Sequence, residues 1–422
     1  MSTDLLSTLA NQRPVKTADA ESDSSWDMWL LASVFLLVGF GVVMLYSASA
    51  VMAADKFGDH LYLVKNQLQK IVLGVVVLFG ALRLDYRWYQ RLVYPILGGT
   101  FIMLILVLIP GIGAVQNGAQ RWFSIGGMSF QPAEVAKIAT VMFMAYSVSK
   151  KGDKMDKFSV AFVPHVAMVG LFVGLLMQQP DFGSSVILLT IMGILLFVSG
   201  AKIRYLSGFV VAGGVLAYFA ITAREYRMER VQAYLDPFSY RTGIGYQISE
   251  SLISIGSGGL TGVGLGNGTG KLGYVPELWN DFIGTIVAEE LGLLGVVLLV
   301  GLFMTFLWRG TKIAFEANDE FGRYLAFGLT ALIGMQAVAN LCVVTGLLPN
   351  KGLTLPFVSF GGSSMIVALF SVGVLLNISK NQPDYWELNR EEREARKAER
   401  RWKKKKRRIL DRRDDLRNDL DL

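Results

Sequence analysis

Apolar runs of about twenty residues recur along the chain, separated by shorter polar stretches. That length is what an α-helix needs to cross the hydrocarbon core of a bilayer. Ten spans are predicted, near residues 28–47, 67–84, 91–110, 132–149, 159–178, 183–200, 205–222, 282–307, 324–345 and 360–379. The pattern predicts an all-α polytopic membrane protein with a large extracytoplasmic loop, 223–281, between the seventh and eighth helices. The first apolar run starts late and has full span length, so it reads as a retained anchor rather than a cleaved signal. Residues 1–26 are polar without periodicity and read as a disordered cytoplasmic tail. Residues 381–422 form a second, highly charged cytoplasmic tail, in which Lys403 to Arg408 is an unbroken basic run suited to anionic membrane lipid or to plain solvation.

Composition sharpens this picture. The 422 residues are 52% hydrophobic and 18% charged, below the roughly 25% charged of a soluble domain. The lone cysteine, Cys342, falls inside a predicted span and excludes an intrachain disulfide. The net charge of +7 is less telling than its placement. Arg83, Arg87 and Arg91, then Lys150, Lys151, Lys154 and Lys157, then Lys202 and Arg204, then Arg309 and Lys312 fall in alternate loops. Positive residues in short loops mark the cytoplasmic side, which puts both termini inside and loop 223–281 outside. No nucleic-acid partner is expected of this arrangement.

The outer loops carry the unusual chemistry. Asp281 stands where the long polar loop re-enters an apolar run at Phe282, with Glu277 about a turn before it. A carboxylate there is an N-cap of the following helix or, desolvated, a general base for an incoming hydroxyl; the two roles are compatible. Glu289 and Glu290 lie deeper in the same span and require partners, interhelical hydrogen bonds being the plain expectation. Glu134 and Lys137, three residues apart after Pro132, share a helix face and read either as a structural ion pair or as a ligand-facing cation with its orienting carboxylate. Arg121, Lys271 and Lys351 lie in outer loops, singly ordinary surface charges and jointly a set able to hold a pyrophosphate. The glycine runs around Gly256–Gly259 and Gly262–Gly266 follow no strand, so a nucleotide loop is not supported. His60 and His165 are far apart and no zinc site is expected.

Several ordered motifs carry a family resemblance: Arg121-Trp122, Gln131-Pro132-Ala133-Glu134 with Lys137, Gln179-Pro180-Asp181-Phe182-Gly183 and Gly245-Tyr246-Gln247. They continue through Gly256–Gly268, Tyr274-Val275-Pro276-Glu277 with Asp281-Phe282, and Ala288-Glu289-Glu290-Leu291-Gly292. They close with Gly352-Leu353-Thr354-Leu355-Pro356 and Ser359-Phe360-Gly361-Gly362-Ser363-Ser364. Over about residues 28–380 the chain resembles the SEDS family (shape, elongation, division, sporulation) of peptidoglycan polymerases, its division branch more than its elongation branch. It departs from the family at Leu278, Trp279 and Asn280, and has Phe360 where Tyr is usual. The resemblance implies polymerisation of lipid II, a disaccharide-pentapeptide on undecaprenyl pyrophosphate, at the septum of the bacterial inner membrane. Asp281 would be catalytic. Glu134, Lys137, Arg121, Asp181, Lys271, Glu277, Lys351, Ser359, Gly361, Gly362 and Ser363 would bind substrate. It also implies a class B penicillin-binding transpeptidase of the FtsI type and other division proteins as partners. No cofactor is fixed by the sequence, and a divalent cation (Mg2+ or Mn2+) at the pyrophosphate stays open. A lipid II flippase, a scaffold without chemistry and an elongation-type polymerase are the alternatives; loss of polymerisation on Asp281→Ala with transport retained separates the first from an enzyme.

Overall fold

A computed structural model describes residues 26–380 apart from 117, 126–127, 223–224, 273–274, 276–277 and 350–351. The tails expected at 1–26 and 381–422 therefore lie, all but Trp26, outside the described residues. Ten long helices correspond in order to the ten expected spans: α1 (Met28–Phe57), α2 (Tyr62–Arg83), α3 (Arg87–Leu106), α4 (Pro132–Lys151), α5 (Val163–Gln178), α6 (Phe182–Val198), α7 (Ile203–Thr222), then, after two helices of the outer loop, α8 (Glu225–Leu235) and α9 (Tyr246–Gly258), α10 (Ile283–Glu316), α11 (Glu320–Val344) and α12 (Gly362–Lys380). Among the described residues seven of the ten, α5 counted from Phe158, are long and apolar enough to cross a membrane by length and composition, and α6 and the Ile203–Val215 part of α7 are shorter apolar helices. In α4 the two ion-pairing residues and two terminal lysines dilute the apolar run.

The ends of these helices have local causes. Asp27 caps α1 by accepting the Leu30 amide at 2.9 Å, and the Arg309 guanidinium of α10 grips the same carboxylate at 2.6 to 3.0 Å. Gly58, at φ 69°, stops α1 in the left-handed region that glycine tolerates. Asp319 caps α11 through the Gly322 amide at 2.8 Å. Pro132 opens α4 at a position where its missing N–H costs nothing.

The centre of the bundle is α4, α11 and α12 with the outer end of α10. Fifteen residues of α4 and fourteen of α12 are buried, whereas α1, α2, α3 and α7 turn large apolar side chains such as Phe35, Val72, Tyr94 and Val210 outward, as lipid-facing helices do. Helix α2 packs closely on α12, where a Cβ on Gly373 would meet the Leu78 carbonyl at 2.5 Å, so small residues set the approach.

Two outer segments depart from the sequence reading. Loop 111–130 is a small antiparallel sheet, β1 (Ala114–Gln116), β2 (Ala119–Ile125) and β3 (Met128–Phe130), in the order β1-β2-β3, with Phe123 opposite Phe130 and Ser124 opposite Ser129. The hairpin adds strands to a fold expected to be all helix; Trp122, Phe123 and Ile125 are residues that favour a pleated, half-buried surface. Loop 223–281 is helical over α8 and α9, and its glycine-rich stretch 258–270 is packed against α10.

Candidate functional site

Asp281 lies in the turn that leads into α10 and is half-buried. It is not the cap of that helix: Phe282 holds the N-cap position, with no side-chain cap. The turn is fastened from two sides. Asn340 of α11 donates through Nδ2 to the Asp281 carbonyl at 2.7 Å and to the Leu353 carbonyl at 2.5 Å. The Phe360 amide donates to the Trp279 carbonyl at 3.0 Å. The carboxylate faces the 352–361 segment so closely that a Cβ on Gly352 would sit 3.0 Å from Asp281 Oδ2. A side chain at 352 would therefore press on the acid.

The expected neighbours are brought together in part. Asp181 caps α6 through the Ser184 amide at 3.0 Å and accepts from Gln131 Nε2 at 3.3 Å, while Gly183 beside it lies against Leu353. Arg121 of β2 spends its guanidinium on the Gln179 and Pro180 carbonyls, at 2.6 and 2.7 Å, and so ties the hairpin to the start of α6. Ser363 accepts the Gln131 amide at 2.8 Å and donates to the Ser129 carbonyl at 3.3 Å. Ser359 accepts the Leu355 amide at 2.9 Å, and the Gln67 side chain spans the Ser359 carbonyl and the Gly361 amide, both at 3.3 Å. Gly361 and Gly362 thus belong to one outer platform with Ser359 and Ser363. Glu134 and Lys137 form a 2.7 Å ion pair whose side chains are 8% and 3% exposed. Glu277 and Lys351 lie outside the described residues.

Lys271 is placed otherwise than a pyrophosphate ligand would require. Its amine meets Glu290 at 3.0 Å, with 9% and 0% side-chain exposure, and also bonds the Gly266 carbonyl. Ser47 of α1 donates to the same Glu290 carboxylate at 2.6 and 2.8 Å. Glu289 accepts the Thr269 amide at 2.7 Å and the Gly270 amide at 3.2 Å. Glu289 thus holds the outer loop, and Glu290 joins that loop to α1 through an interhelical hydrogen bond of the expected kind. Both stand beside a break in α10. Gly292, at φ 64° and ψ −159°, frees the Glu289 and Glu290 carbonyls, which accept the amides of Val263 and Gly264 at 3.0 Å each. In return the Leu293 and Leu294 amides bond Gly259 and Leu260 at 3.0 and 3.2 Å. The outer loop is laid into the gap like a short strand.

Beside this platform an apolar cavity of about 460 Å³ lies between α6 and α11, lined by residues including Phe182, Gly183, Val186, Met335, Val338 and Leu353. Phe182, Val186 and Val338 are 43%, 43% and 57% exposed, so the cavity faces the lipid side. Its wall at Leu353 is one residue from Gly352 and hence from the Asp281 carboxylate. Among the described residues no group of three or more His, Cys, Asp or Glu converges on one point. The described side chains therefore build no metal cage of their own.

Sequence reasoning passed over Asn340, Gln67 and Lys70. Each is polar within an apolar run, which is itself the signal that an amide or amine has a structural or functional partner inside the bundle.

The "Cell cycle protein" family model that unites FtsW, RodA and SpoVE matches residues 28–384. The chain belongs to this family. It is 45% identical over 354 residues to the "Probable peptidoglycan glycosyltransferase FtsW" of Geobacter metallireducens, covering 84% of this chain and 94% of that one. It is 40% identical to the "Stage V sporulation protein E" of Bacillus subtilis, covering 85% and 98%. Among solved structures it resembles a chain described under "Structural coordination of polymerization and crosslinking by a peptidoglycan synthase complex", with a TM-score of 0.73, 30% identity and 85% and 99% coverage. It likewise resembles the rod shape determining protein RodA of Thermus thermophilus, with a TM-score of 0.63, 29% identity and 85% and 98% coverage. A family member with this run of apolar helices is an integral protein of the inner membrane.

Proposed function

We propose that this chain is an inverting peptidoglycan glycosyltransferase of the FtsW type, which polymerises lipid II into β-1,4 glycan for the division septum. The carrying observation is Asp281, a half-buried carboxylate held by its backbone between α11 and the 352–361 segment, next to a lipid-facing apolar cavity. Identity of 45% to a relative named as such a transferase supports the same reading. An isoprenoid tail needs apolar room reached from the bilayer, and sugars need the aqueous side; the junction at Leu353 and Gly352 offers both.

The acceptor 4-hydroxyl gives its proton to an Asp281 carboxylate oxygen as its own oxygen attacks the donor anomeric carbon. The bond from that carbon to the pyrophosphate oxygen breaks with its electron pair, and undecaprenyl pyrophosphate leaves. One displacement turns an α-linked donor into a β-1,4 bond, so a single base and no enzyme nucleophile suffice. Fixed cations near the leaving group lower the barrier by offsetting its developing charge. Lys351 adjoins Gly352 in sequence and is the first candidate. Lys137, paired with Glu134, and Arg121, bonded to the α6 turn, are the other candidates.

Both termini are assigned to the cytoplasm, and a class B transpeptidase of the FtsI type and other division proteins are the assigned partners. The solved relative described as part of a peptidoglycan synthase complex supports the transpeptidase. The test is purified chain in proteoliposomes with lipid II, alone and with the cognate transpeptidase, scored for long glycan. Polymer from the wild type and none from Asp281→Asn is the expected result. Wild-type-like polymer from Asp281→Asn removes the base assignment, and transport of lipid II without polymer by either partner state replaces the enzyme with a flippase.

A further inference from the structure

Lys70 sits on α2 three residues after Gln67, on the face that packs against α12. It is 8% exposed. Its Nζ lies 3.9 Å from the centroid of the Phe360 ring, and its Cε would be 3.3 Å from a Cβ on Gly362, so its stem lies across the first residue of α12. No described carboxylate pairs with it, although the chain pairs its other deeply buried cations, Lys137 with Glu134 and Lys271 with Glu290. An ammonium has three donors, and one aromatic face satisfies at most one direction. An unpaired ammonium in a membrane bundle is costly, and such groups are retained where they meet a ligand.

The element facing Lys70 supplies the rest of a site. Helix α12 starts at Gly362, and the amides of its first turn have no intrahelical acceptor. The two serines there do not cap it, because Ser363 Oγ is engaged with Gln131 and Ser129 and Ser364 Oγ with Thr354 at 3.0 Å. The Gly361 amide is taken by Gln67, and glycine at 362 lets the Lys70 stem lie against the helix start. The remaining first-turn amides, the positive end of a 19-residue helix dipole and the Lys70 side chain thus meet at the start of α12. It lies at the level of the outer hairpin, since the Ser129 carbonyl is 3.2 Å from the Gly362 Cβ position. Gln67 fixes the same segment from below.

We infer that Lys70 and the first turn of α12 form a binding site for a phosphate-type anion, entered from the outer face of the membrane. The anion takes charge-assisted bonds from Nζ and from the helix amides. On the polymerase reading, on which only the identity of its bearer rests, that anion is the pyrophosphate of the undecaprenyl carrier.

The test compares wild type, Lys70→Met, which keeps the stem without the charge, and Lys70→Arg, by thermal unfolding in detergent. Undecaprenyl pyrophosphate, inorganic pyrophosphate and phosphatidylglycerol are added separately. Without ligand, Lys70→Met is expected to unfold at or above the wild-type temperature, because no ion pair is broken. Undecaprenyl pyrophosphate is expected to raise the unfolding temperature of wild type and Lys70→Arg but not of Lys70→Met, and to inhibit polymerisation at least tenfold more weakly in Lys70→Met. A Lys70-dependent shift with inorganic pyrophosphate or phosphatidylglycerol also supports the phosphate site and tells which phosphate fills it. No Lys70-dependent shift with any of the three, or a marked fall in the ligand-free stability of Lys70→Met, overturns it. The shift needs no turnover, so a wild type that binds but makes no polymer sinks the polymerase reading and leaves this site. A wild type that makes polymer with no Lys70-dependent shift does the reverse.

Discussion

At the scale of single residues, the two sides of Asp281 make different demands. Replacing the carboxylate by an amide keeps the shape and removes the proton acceptor. Asp281→Asn is therefore expected to lower polymerisation by about 10²–10⁴-fold, the usual contribution of a general base, with the protein still folded. Asn340 acts only through the backbone of the turn, so Asn340→Ala tests positioning. It leaves the Asp281 and Leu353 carbonyls without their shared donor, a loss of about 1–3 kcal/mol. Activity should fall with it while the pH profile keeps the wild-type midpoint; a shifted midpoint would mean that Asn340 touches the acid itself. Lys137→Ala should weaken function more than Lys150→Ala. Lys137 is paired and buried, and stranding Glu134 costs about 3–5 kcal/mol, whereas Lys150 is exposed at the far end of α4, 3.2 Å from the Tyr146 hydroxyl. Equal activity and stability of the two variants would refute the importance of the pair. Asp281 was legible because a charge at the edge of an apolar run stands out. Asn340, Gln67 and Lys70 were harder to see, because their partners are backbone atoms or a ring lying 13 to 294 positions away, which no local pattern encodes.

Among the elements, helices were legible by existence and order more than by extent. The first span was expected to end at 47 and α1 runs to Phe57. Hydropathy fades along Ser47–Phe57, but alanine and methionine keep the backbone helical, and a hydropathy window cannot see propensity. The sheet at 114–130 was hidden by its glycines, and its alternation is only a few residues long. The break in α10 has the clearest consequence. Gly262 and Gly292 meet backbone to backbone: a Cβ on Gly292 would lie 2.3 Å from the Gly262 nitrogen, and one on Gly262 would lie 2.1 Å from the Glu290 carbonyl oxygen. Gly292→Ala or Gly262→Ala should expel the loop from the gap, strand the Glu289 and Glu290 carbonyls, and lower both stability and polymerisation. The strained backbone alone is worth about 1–3 kcal/mol. Gly256→Ala is the control, since it lies within α9 with nothing within 4 Å of its Cβ position; there the change should be neutral or stabilising by about 0.4–1 kcal/mol. Thermal unfolding of the three variants decides this, and a stable Gly292→Ala would show that the loop is not held by the break.

For the whole molecule, the distribution of Lys and Arg proposes a sidedness that the order of helices makes testable: Ser257 belongs to the outer loop and Lys202 to an inner one. In a Cys342→Ser background, a cysteine at Ser257 should react with an impermeant thiol reagent from outside and one at Lys202 only from inside. The reverse would move Asp281 away from its substrate. The same sidedness puts the loop that fills the α10 break on the face where a transpeptidase works. That loop is fastened to α10 through Glu289, Glu290 and Lys271 and to α1 through Ser47, about two turns along α10 from Asp281. If the turn has an active and an inactive arrangement, a partner shifts their populations only by its differential affinity for the two. Each tenfold of stimulation takes about 1.4 kcal/mol of that difference. Titrating the cognate class B transpeptidase into a lipid II polymerisation assay should raise the rate and saturate with binding. Glu290→Gln weakens the hold of Lys271, and it should change the size of the stimulation more than the affinity for the partner. An unchanged wild-type rate at saturating, demonstrably bound transpeptidase would reduce the partnership to shared location and take this loop out of the account of activation.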